Sequence, residues 1–151
     1  MTPAPDRASE ARARMVAEQL RGRDIRDPRV LEAMVTVPRD AFVAERVRGQ
    51  AYDDYPRPIA AGQTISQPYI VARMTELLAV GPGDRVLDVG TGSGYQAAIL
   101  AELGCLVTSI DREAGLADEA RQRLASLGYG DRVTVLTGDG SLGHPGGAPW
   151  D

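Results

Sequence analysis

Three glycines at alternate positions, Gly90, Gly92 and Gly94, stand in the run DVGTGSG (88–94), between an apolar segment and a helical pattern. Glycine lets the backbone turn sharply and lets a ligand approach without an intervening Cβ. The first turn of the following helix offers unpaired N–H groups and the positive end of the helix dipole. The run therefore predicts a ligand-binding loop that joins a strand to a helix.

Two aspartates occur where they would meet that loop. Asp111 directly follows the apolar segment CLVTSI (105–110), and Asp139 comes shortly after the segment RVTVL (132–136). An acid at the end of the second strand accepts hydrogen bonds from the ribose hydroxyl groups of an adenosine. Since the ligands of an open parallel sheet bind outside the carboxyl ends of its strands, both aspartates and the glycine loop are expected at one edge.

The glycine spacing separates two classes of nucleoside ligand. The dinucleotide fingerprint is G-x-G-x-x-G, whereas this chain has G-x-G-x-G and places Tyr95 at the position of the last glycine. The bulkier residue disfavours NAD and is compatible with S-adenosylmethionine, which has no pyrophosphate. A tight strand-to-helix turn with incidental glycines is the alternative without a ligand, and the placement of the two aspartates argues against it.

The elements that position these residues follow from hydrophobic periodicity. From Gly81 onward, short apolar segments alternate with helical patterns, which is typical of βαβ units with parallel strands. The predicted strands are 85–89, 105–110 and 132–136, and the predicted helices are 93–103 and 113–127. We therefore predict an α/β fold with a Rossmann-like parallel sheet.

Residues 1–80 have a different character and predict an N-terminal helical extension. Helical patterns cover 9–22, 28–37, 39–48 and 68–80, with a long irregular segment at 49–67. In the last of these helices the residues expected to face inward are Ile70, Val71, Met74, Leu77 and Leu78. The prediction therefore divides the chain into this extension and residues 81–151, the first part of a ligand-binding domain.

The composition limits the classes of function. The chain has 151 residues, of which 25% are charged, and a formal net charge of −4, which disfavours sequence-independent binding to nucleic acid or to an anionic membrane. One cysteine and one histidine disfavour a disulfide framework and a Cys/His zinc site, so no metal is expected. No apolar run is long enough to span a membrane, and the N-terminus does not resemble a secretory signal. A cytoplasmic location is therefore expected.

Four stretches of the chain resemble the protein-L-isoaspartate O-methyltransferase family, whose members are class I S-adenosylmethionine-dependent enzymes. These stretches are 15–43, 51–78, 83–103 and 133–140. The G-x-G-x-G loop indicates only a methyltransferase, whereas the stretch GQTISQPYIVARM (62–74) is specific to this family. The resemblance implies a class I methyltransferase fold and S-adenosylmethionine as the cofactor.

The resemblance also implies a reaction, which is methylation of the α-carboxyl group of L-isoaspartyl residues in damaged proteins. The ester then cyclises to a succinimide, which can reopen to normal aspartate. The substrates would be isoaspartyl-containing proteins and peptides, and the full-length enzyme would be a monomer. Two alternatives stay open: a relative that methylates aspartate side chains in a dedicated peptide, and an inactive cofactor-binding remnant. A nicotinamide-dependent dehydrogenase is less favoured because of Tyr95.

By the same resemblance, Ser66 of the T-I-S loop is the active-site residue. The residues that enclose or line the cofactor would be Gln63, Thr64, Ile65, Ser66, Asp88, Gly90, Thr91, Gly92, Gly94, Asp111, Asp139 and Gly140. The three glycines would line the methionine moiety, Asp111 would face the ribose, and Asp139 with Gly140 would face the adenine.

The implied chemistry needs neither a general base nor a metal. The acceptor is a carboxylate that is already ionised at pH 7, and the methyl donor is a sulfonium. The main requirement is therefore to hold the two in line and to exclude water. Ser66 is expected to donate a hydrogen bond that orients the carboxylate, rather than to act as a nucleophile. The alternative for Ser66 is a helix N-cap before Pro68.

The resemblance further implies that the family continues beyond the motif APWD (148–151), where a fourth strand would begin. The sheet is therefore expected to be incomplete, with about three strands and with the strand 85–89 as an open apolar edge. A chain of this kind would be a fragment or a truncated product. We expect it to bind the cofactor weakly and to be marginally stable.

Overall fold

The computed structural model describes residues 6–151, and its first helix does not keep one pitch. Helix α1 (Arg7–Met15) begins at the N-cap Asp6, whose Oδ1 accepts a hydrogen bond from the Ser9 N–H at 2.7 Å. It continues into a π-helix, Val16–Arg21. The wider π turn keeps Leu20 on the same side as Met15, and both side chains are buried. The predicted helix over 9–22 is therefore present, and it changes from α to π geometry after residue 15.

Helix α2 (Pro28–Thr36) has the predicted start and ends one residue before the predicted end. The Asp27 side chain caps it by accepting the Arg29 N–H at 2.9 Å, and Pro28 occupies the first turn. Proline is suited to that position because a backbone N–H there has no partner within the helix, so its absence in proline costs no hydrogen bond. Two short 3-10 helices, Arg39–Phe42 and Glu45–Gln50, follow it.

A short antiparallel hairpin lies within the segment 49–67 predicted to be irregular, so the N-terminal extension is helical only in part. Strand β1 (Arg57–Pro58) pairs with β2 (Thr64–Ile65). The turn between them closes through a hydrogen bond from the Ile59 N–H to the Gln63 carbonyl oxygen, at 2.8 Å. Its tip contains Gly62 at φ +68°, a left-handed conformation that suits a residue without a Cβ.

Helix α3 (Pro68–Leu78) presents a different face to the core from the one predicted. Its buried residues are Pro68, Val71, Ala72 and Thr75. Four of the five residues expected to face inward are 42–66% exposed, namely Ile70, Met74, Leu77 and Leu78. Thr75 tolerates burial because its hydroxyl donates to the Val71 carbonyl oxygen at 2.8 Å, so the helix can turn this stripe inward.

The second part of the chain forms the predicted α/β fold. Strands β3 (Arg85–Val89), β4 (Leu106–Asp111) and β5 (Val133–Thr137) form a parallel sheet in the order β3-β4-β5. The register pairs Val86 with Val107, and Val107 with Val133. Helices α4 (Tyr95–Glu102) and α5 (Ala114–Ser126) connect consecutive strands. The Rossmann-like parallel sheet of three strands is confirmed.

The two parts of the chain share one hydrophobic core. The ring of Phe42 meets the ring of Tyr95 edge to face, with centroids 5.4 Å apart, and the Tyr95 hydroxyl lies 3.7 Å from the Met34 sulfur. Buried side chains on both sides of residue 80 belong to the same cluster. This shared core does not mark a boundary, so the division of the chain into two domains at residue 80 stays a prediction. Within residues 6–151, none of the helices has the length and apolar character that a membrane span requires.

Strand β3 is an edge strand of the described sheet, with β4 on one side only. At its start, the Asp151 N–H donates to the Arg85 carbonyl oxygen at 2.9 Å, and the Arg85 N–H donates to Asp151 Oδ2 at 2.8 Å. At its end, Val89 is 55% exposed. Asp151 thus pairs with the first residue of this strand, while the expectation of an open apolar edge stays a prediction.

Candidate ligand-binding site

The glycine loop follows β3 and is hydrogen-bonded to the end of β4. The N–H groups of Gly90 and Thr91 both donate to the Ile110 carbonyl oxygen, at 2.8 and 3.3 Å. Gly90, Gly92 and Gly94 have φ of +91°, +53° and +93°, a region that other residues adopt only with strain. The sequence of alternating glycines is therefore required by the path of the backbone.

The three glycines differ in what lies above them. A Cβ built on Gly90 would meet no protein atom within 4 Å, so the backbone there faces open space. A Cβ on Gly92 would lie 3.4 Å from the Ile59 side chain of the β1–β2 turn, and one on Gly94 would lie 3.1 Å from Leu124 of α5. Gly90 is thus suited to a closely approaching ligand, whereas Gly94 allows α4 and α5 to pack.

Two neighbouring cavities flank the loop, with volumes of about 340 and 320 Å³. Thr64, Val89, Gly90 and Gly92 line both of them. Of the other predicted site residues, the first cavity contains Ile65, Ser66, Asp88 and Thr91. The second contains Gln63, Asp111, Asp139 and Gly140. The structure therefore brings together eleven of the twelve predicted residues, and only Gly94 lines neither cavity.

Asp111 closes the second cavity at the end of β4. Its Oδ2 accepts the Gly92 N–H and its Oδ1 accepts the Glu113 N–H, both at 2.9 Å. A carboxylate has about four acceptor positions, so both oxygens keep capacity for ligand hydroxyl groups. Because the two backbone donors fix the carboxylate orientation, a ribose would meet a preorganised acceptor.

Asp88 lies at the base of the first cavity in a short polar chain. Its Oδ2 accepts the Ser109 hydroxyl at 2.6 Å, and the Ser109 oxygen lies 2.7 Å from the Thr91 hydroxyl. Burial of the Asp88 carboxyl, followed by the charge of the nearby Asp111, raises its pKa to about 6, although the Ser109 hydrogen bond acts in the opposite direction. This series of hydrogen bonds links the ends of β3 and β4 beneath the glycine loop.

The loop after β5 forms the far wall of the second cavity. Asp139 Oδ1 accepts the Ser141 N–H at 2.9 Å, and this backbone hydrogen bond lowers the pKa of the exposed Asp139 carboxyl. A Cβ on Gly140 would lie only 2.7 Å from Ile110 and 2.8 Å from Val89. Glycine is therefore needed there so that the backbone can approach the ends of β3 and β4.

Ser66 stands between β2 and α3, exposed at the mouth of the first cavity. The N-cap of α3 is Gln67, without a side-chain capping bond, and the Gln67 amide instead donates to Asp54 Oδ1 at 2.6 Å. The alternative prediction that Ser66 caps this helix is therefore wrong. The preceding Ile65 is buried, so the chain is anchored on the inner side while Ser66 faces outward.

Two residues that organise the site were missed at the sequence level. Ser109 supports Asp88 from β4, and a serine within the apolar segment CLVTSI is a signal that could have indicated a buried polar contact. Arg39 donates to the Ser66 carbonyl oxygen at 2.8 Å from a distant part of the chain. Its sequence neighbours, Pro38 and Asp40, give no sign of this contact.

The arrangement fits an adenosine-containing ligand in the second cavity and a partly apolar reaction space in the first. The second cavity has an oriented carboxylate at Asp111 and a second acid at Asp139. The first has apolar walls from Val71, Met74 and Leu78, which favour exclusion of water. Because both cavities share Gly90 and Gly92, one ligand can extend from one cavity into the other.

A family model and the sequences of curated proteins indicate the same family for this chain. The family model for protein-L-isoaspartate(D-aspartate) O-methyltransferase (PCMT) matches residues 10–151. A protein-L-isoaspartate O-methyltransferase from Methylorubrum extorquens (strain PA1) is 58% identical over 149 residues, which is 99% of this chain and 64% of that protein. A protein-L-isoaspartate O-methyltransferase 1 from Rhodopseudomonas palustris (strain HaA2) is also 58% identical, over 93% of this chain and 57% of that protein.

Solved structures show the same likeness. A protein-L-isoaspartate O-methyltransferase structure superposes with a TM-score of 0.79 at 25% identity and covers 95% of this chain and 46% of that one. A putative enzyme of the same name from Plasmodium falciparum, in complex with S-adenosyl-L-homocysteine, gives a TM-score of 0.67 at 25% identity, over 84% of this chain and 62% of that one. The chain thus spans about three fifths of the two curated relatives described above.

Proposed function

The chain belongs to the protein-L-isoaspartate(D-aspartate) O-methyltransferase family, and from this premise we propose that it carries the cofactor site and the Ser66 loop of an enzyme that methylates the α-carboxyl group of L-isoaspartyl residues. The proposed substrates are damaged proteins and peptides that contain such residues. Methylation would begin their repair, because the ester can cyclise to a succinimide that reopens to aspartate.

We propose S-adenosylmethionine as the cofactor, and the cavities support this choice. Asp111, with its two oxygens oriented by backbone N–H groups, would hold the ribose. Asp139 and Gly140, on the far wall of the second cavity, would border the adenine. The open backbone at Gly90 would let the methionine part approach closely. When bound, the cofactor supplies a methyl group on a positively charged sulfonium.

The side chains around the first cavity suit a carboxylate acceptor. Ser66 has an exposed hydroxyl group that does not cap α3, so it is available to donate a hydrogen bond to one carboxylate oxygen. An ionised carboxylate needs no base at neutral pH. The contribution of this chain is therefore orientation and exclusion of water, which can provide a large part of the rate enhancement of a two-reactant step.

The observation that carries the proposal is the shared wall of the two cavities. Thr64, which is two residues from Ser66, lines both cavities together with Gly90 and Gly92. A cofactor held through Asp111 on one side and an acceptor held at Ser66 on the other would thus meet at the glycine loop. This is the geometry that a direct transfer between two bound molecules requires.

Methyl transfer from radiolabelled S-adenosylmethionine to an isoaspartyl peptide tests the proposal, with the aspartyl peptide of the same sequence as control. Transfer to the isoaspartyl peptide alone is expected. Transfer to the aspartyl peptide would instead favour a peptide-tailoring enzyme. Binding of S-adenosylhomocysteine without transfer to either peptide would favour an inactive cofactor-binding module, and the activity assigned here to the chain would then be rejected.

A further inference from the structure

Arg39 is a fully buried residue that connects two distant parts of the irregular segment. Its Nε donates to the Ala51 carbonyl oxygen at 2.6 Å, and its Nη2 donates to the Ser66 carbonyl oxygen at 2.8 Å. The planar guanidinium group can make both bonds at once because its donors diverge in a fixed fork. Arg39 therefore fixes the start of the segment relative to its end.

The same guanidinium group also contacts the element that follows the glycine loop. Its central carbon lies 5.0 Å from the centroid of the Tyr95 ring, a cation–π distance. Tyr95 is the first residue of α4 and directly follows Gly94. One side chain thus contacts both Ser66, on the acceptor side, and the residue next to the loop on the cofactor side.

The charge of Arg39 has no carboxylate partner within residues 6–151, where the ion pairs involve other arginines. Its Nη1 also has no hydrogen-bond partner in this part of the chain. Burial lowers the pKa of the guanidinium group. An unneutralised buried charge is costly for folding, and an apolar side chain of similar size usually costs less.

We propose that Arg39 is a positioning residue that fixes Ser66 relative to the glycine loop. This inference rests on the proposed function. Ser66 is exposed, and its backbone carbonyl group is held from the interior by Arg39. Holding that carbonyl restricts the rotation of the Ser66 peptide unit and hence the direction of the Ser66 hydroxyl. The positive charge behind the loop also favours an anionic acceptor at its front.

Three variants of the 151-residue chain separate positioning from stability. Arg39→Met keeps the length of the side chain but removes the charge and both hydrogen bonds. Arg39→Lys keeps the charge but not the fork. Leu20→Ala is the matched control, because Leu20 is fully buried in the π-helix and is not a site residue. Hydrogen exchange of residues 57–67, the affinity for S-adenosylhomocysteine and the KM for an isoaspartyl peptide are measured for each.

Arg39→Met is expected to raise the exchange rates of the segment 57–67 about tenfold, since its local opening becomes easier. The acceptor KM should rise by about the same factor, whereas the affinity for S-adenosylhomocysteine should change less than about threefold, because no cofactor contact is removed. The exchange rates and the acceptor KM of Arg39→Lys should lie between those of Arg39→Met and those of the parent chain. Leu20→Ala should lower the melting temperature without a selective change in this segment.

The inference is overturned if the segment 57–67 exchanges no faster in Arg39→Met than in Leu20→Ala. It is also overturned if Arg39→Met keeps the acceptor KM of the parent chain. If the parent chain transfers no methyl group, the proposed function fails separately, and the exchange comparison still decides whether Arg39 fixes the Ser66 segment.

Discussion

The Asp111 carboxylate accepts a hydrogen bond from the Gly92 N–H at 2.9 Å, which fixes the middle of the glycine loop to the end of β4. The residue expected to bind the ribose is therefore also the residue that shapes the loop beside it. Since the other Asp111 oxygen accepts the Glu113 N–H, the carboxylate is held from both sides before any ligand binds.

We expect Asp111→Asn to weaken S-adenosylhomocysteine binding by about 10- to 100-fold, because the amide group cannot accept both backbone N–H bonds and loses the charge that strengthens them. Isothermal titration calorimetry would measure the change. Asp118→Asn is the control, since Asp118 is exposed on α5 and pairs with Arg121. Equal affinities of Asp111→Asn and the parent chain would contradict the expected contribution of this carboxylate to ligand binding.

Ser66→Ala is expected to reduce methyl transfer to an isoaspartyl peptide by about 10- to 100-fold through loss of a hydrogen bond to a charged group. Its melting temperature should not change, because Ser66 is exposed and does not cap α3. Ser126→Ala is a matched control, as its hydroxyl donates to the Arg123 carbonyl oxygen at the end of α5. Full activity of Ser66→Ala would remove Ser66 from the acceptor site.

Asp88 should make the free energy of unfolding decrease as the pH rises, which is opposite to the usual effect of a carboxyl group in a folded protein. Its pKa of about 6 in the folded chain lies above the ordinary value of 3.8, so the folded state binds the proton more tightly than the unfolded state. The contribution of Asp88 to stability is therefore full below about pH 4 and is lost as the pH rises through about 6.

The variant Asp88→Asn tests this direction because asparagine is neutral and can still accept the Ser109 hydroxyl group. Relative to the parent chain, the variant should gain about 2–3 kcal/mol of unfolding free energy between pH 4 and pH 7. Urea unfolding at the two pH values measures the difference. A difference between the two chains that stays constant with pH would contradict the raised pKa.

Gly140→Ala is expected to destabilise the fold by about 1–3 kcal/mol, since its Cβ would be forced against Ile110 and Val89. Gly138→Ala is the control, because a Cβ there would make an ordinary contact, 3.4 Å from the Ile110 side chain. Thermal unfolding of the two variants gives the comparison. If both melt at the same temperature, the close approach of Gly140 is not needed for the fold.

Ala79 offers a stabilising substitution at the end of α3. It has φ +55°, so Ala79→Gly should raise the unfolding free energy by about 0.5–1 kcal/mol. The same substitution at the exposed Ala13, inside the continuous helix 7–21, should lower it by a similar amount. Chemical denaturation measures both, and a destabilised Ala79→Gly variant would contradict the role of backbone strain.

Most predictions that depend on local pattern agree with the structure, apart from the inward face of α3. The glycine loop, the acid at the end of β4, the acid after β5 and the cap at Asp27 are specified by residues close to one another in the chain. The parallel pairing of consecutive strands then brings the ends of those strands to one edge. This is why Asp111 and Asp139 meet the glycine loop around one cavity.

The features that sequence reasoning missed depend on contacts between distant residues. The predicted orientation of α3 was wrong because both faces of this helix carry apolar residues. Only tertiary packing selects Val71 and Thr75 for burial. Arg39 was missed because its partners, Ala51 and Ser66, lie 12 and 27 residues away along the chain. A charged residue next to a proline is ordinary surface composition, so its type alone carries no signal of burial.

The spatial order of the sheet, β3-β4-β5, is also the order of these strands along the chain. During synthesis, each strand can pair with the one made just before it and need not wait for a later strand to be inserted between them. The residues that line the second cavity all lie within 63–141. The second cavity can therefore be assembled on the ribosome once Ser141 has left the exit tunnel. A ligand that binds this cavity can first stabilise the fold of the nascent chain at that length.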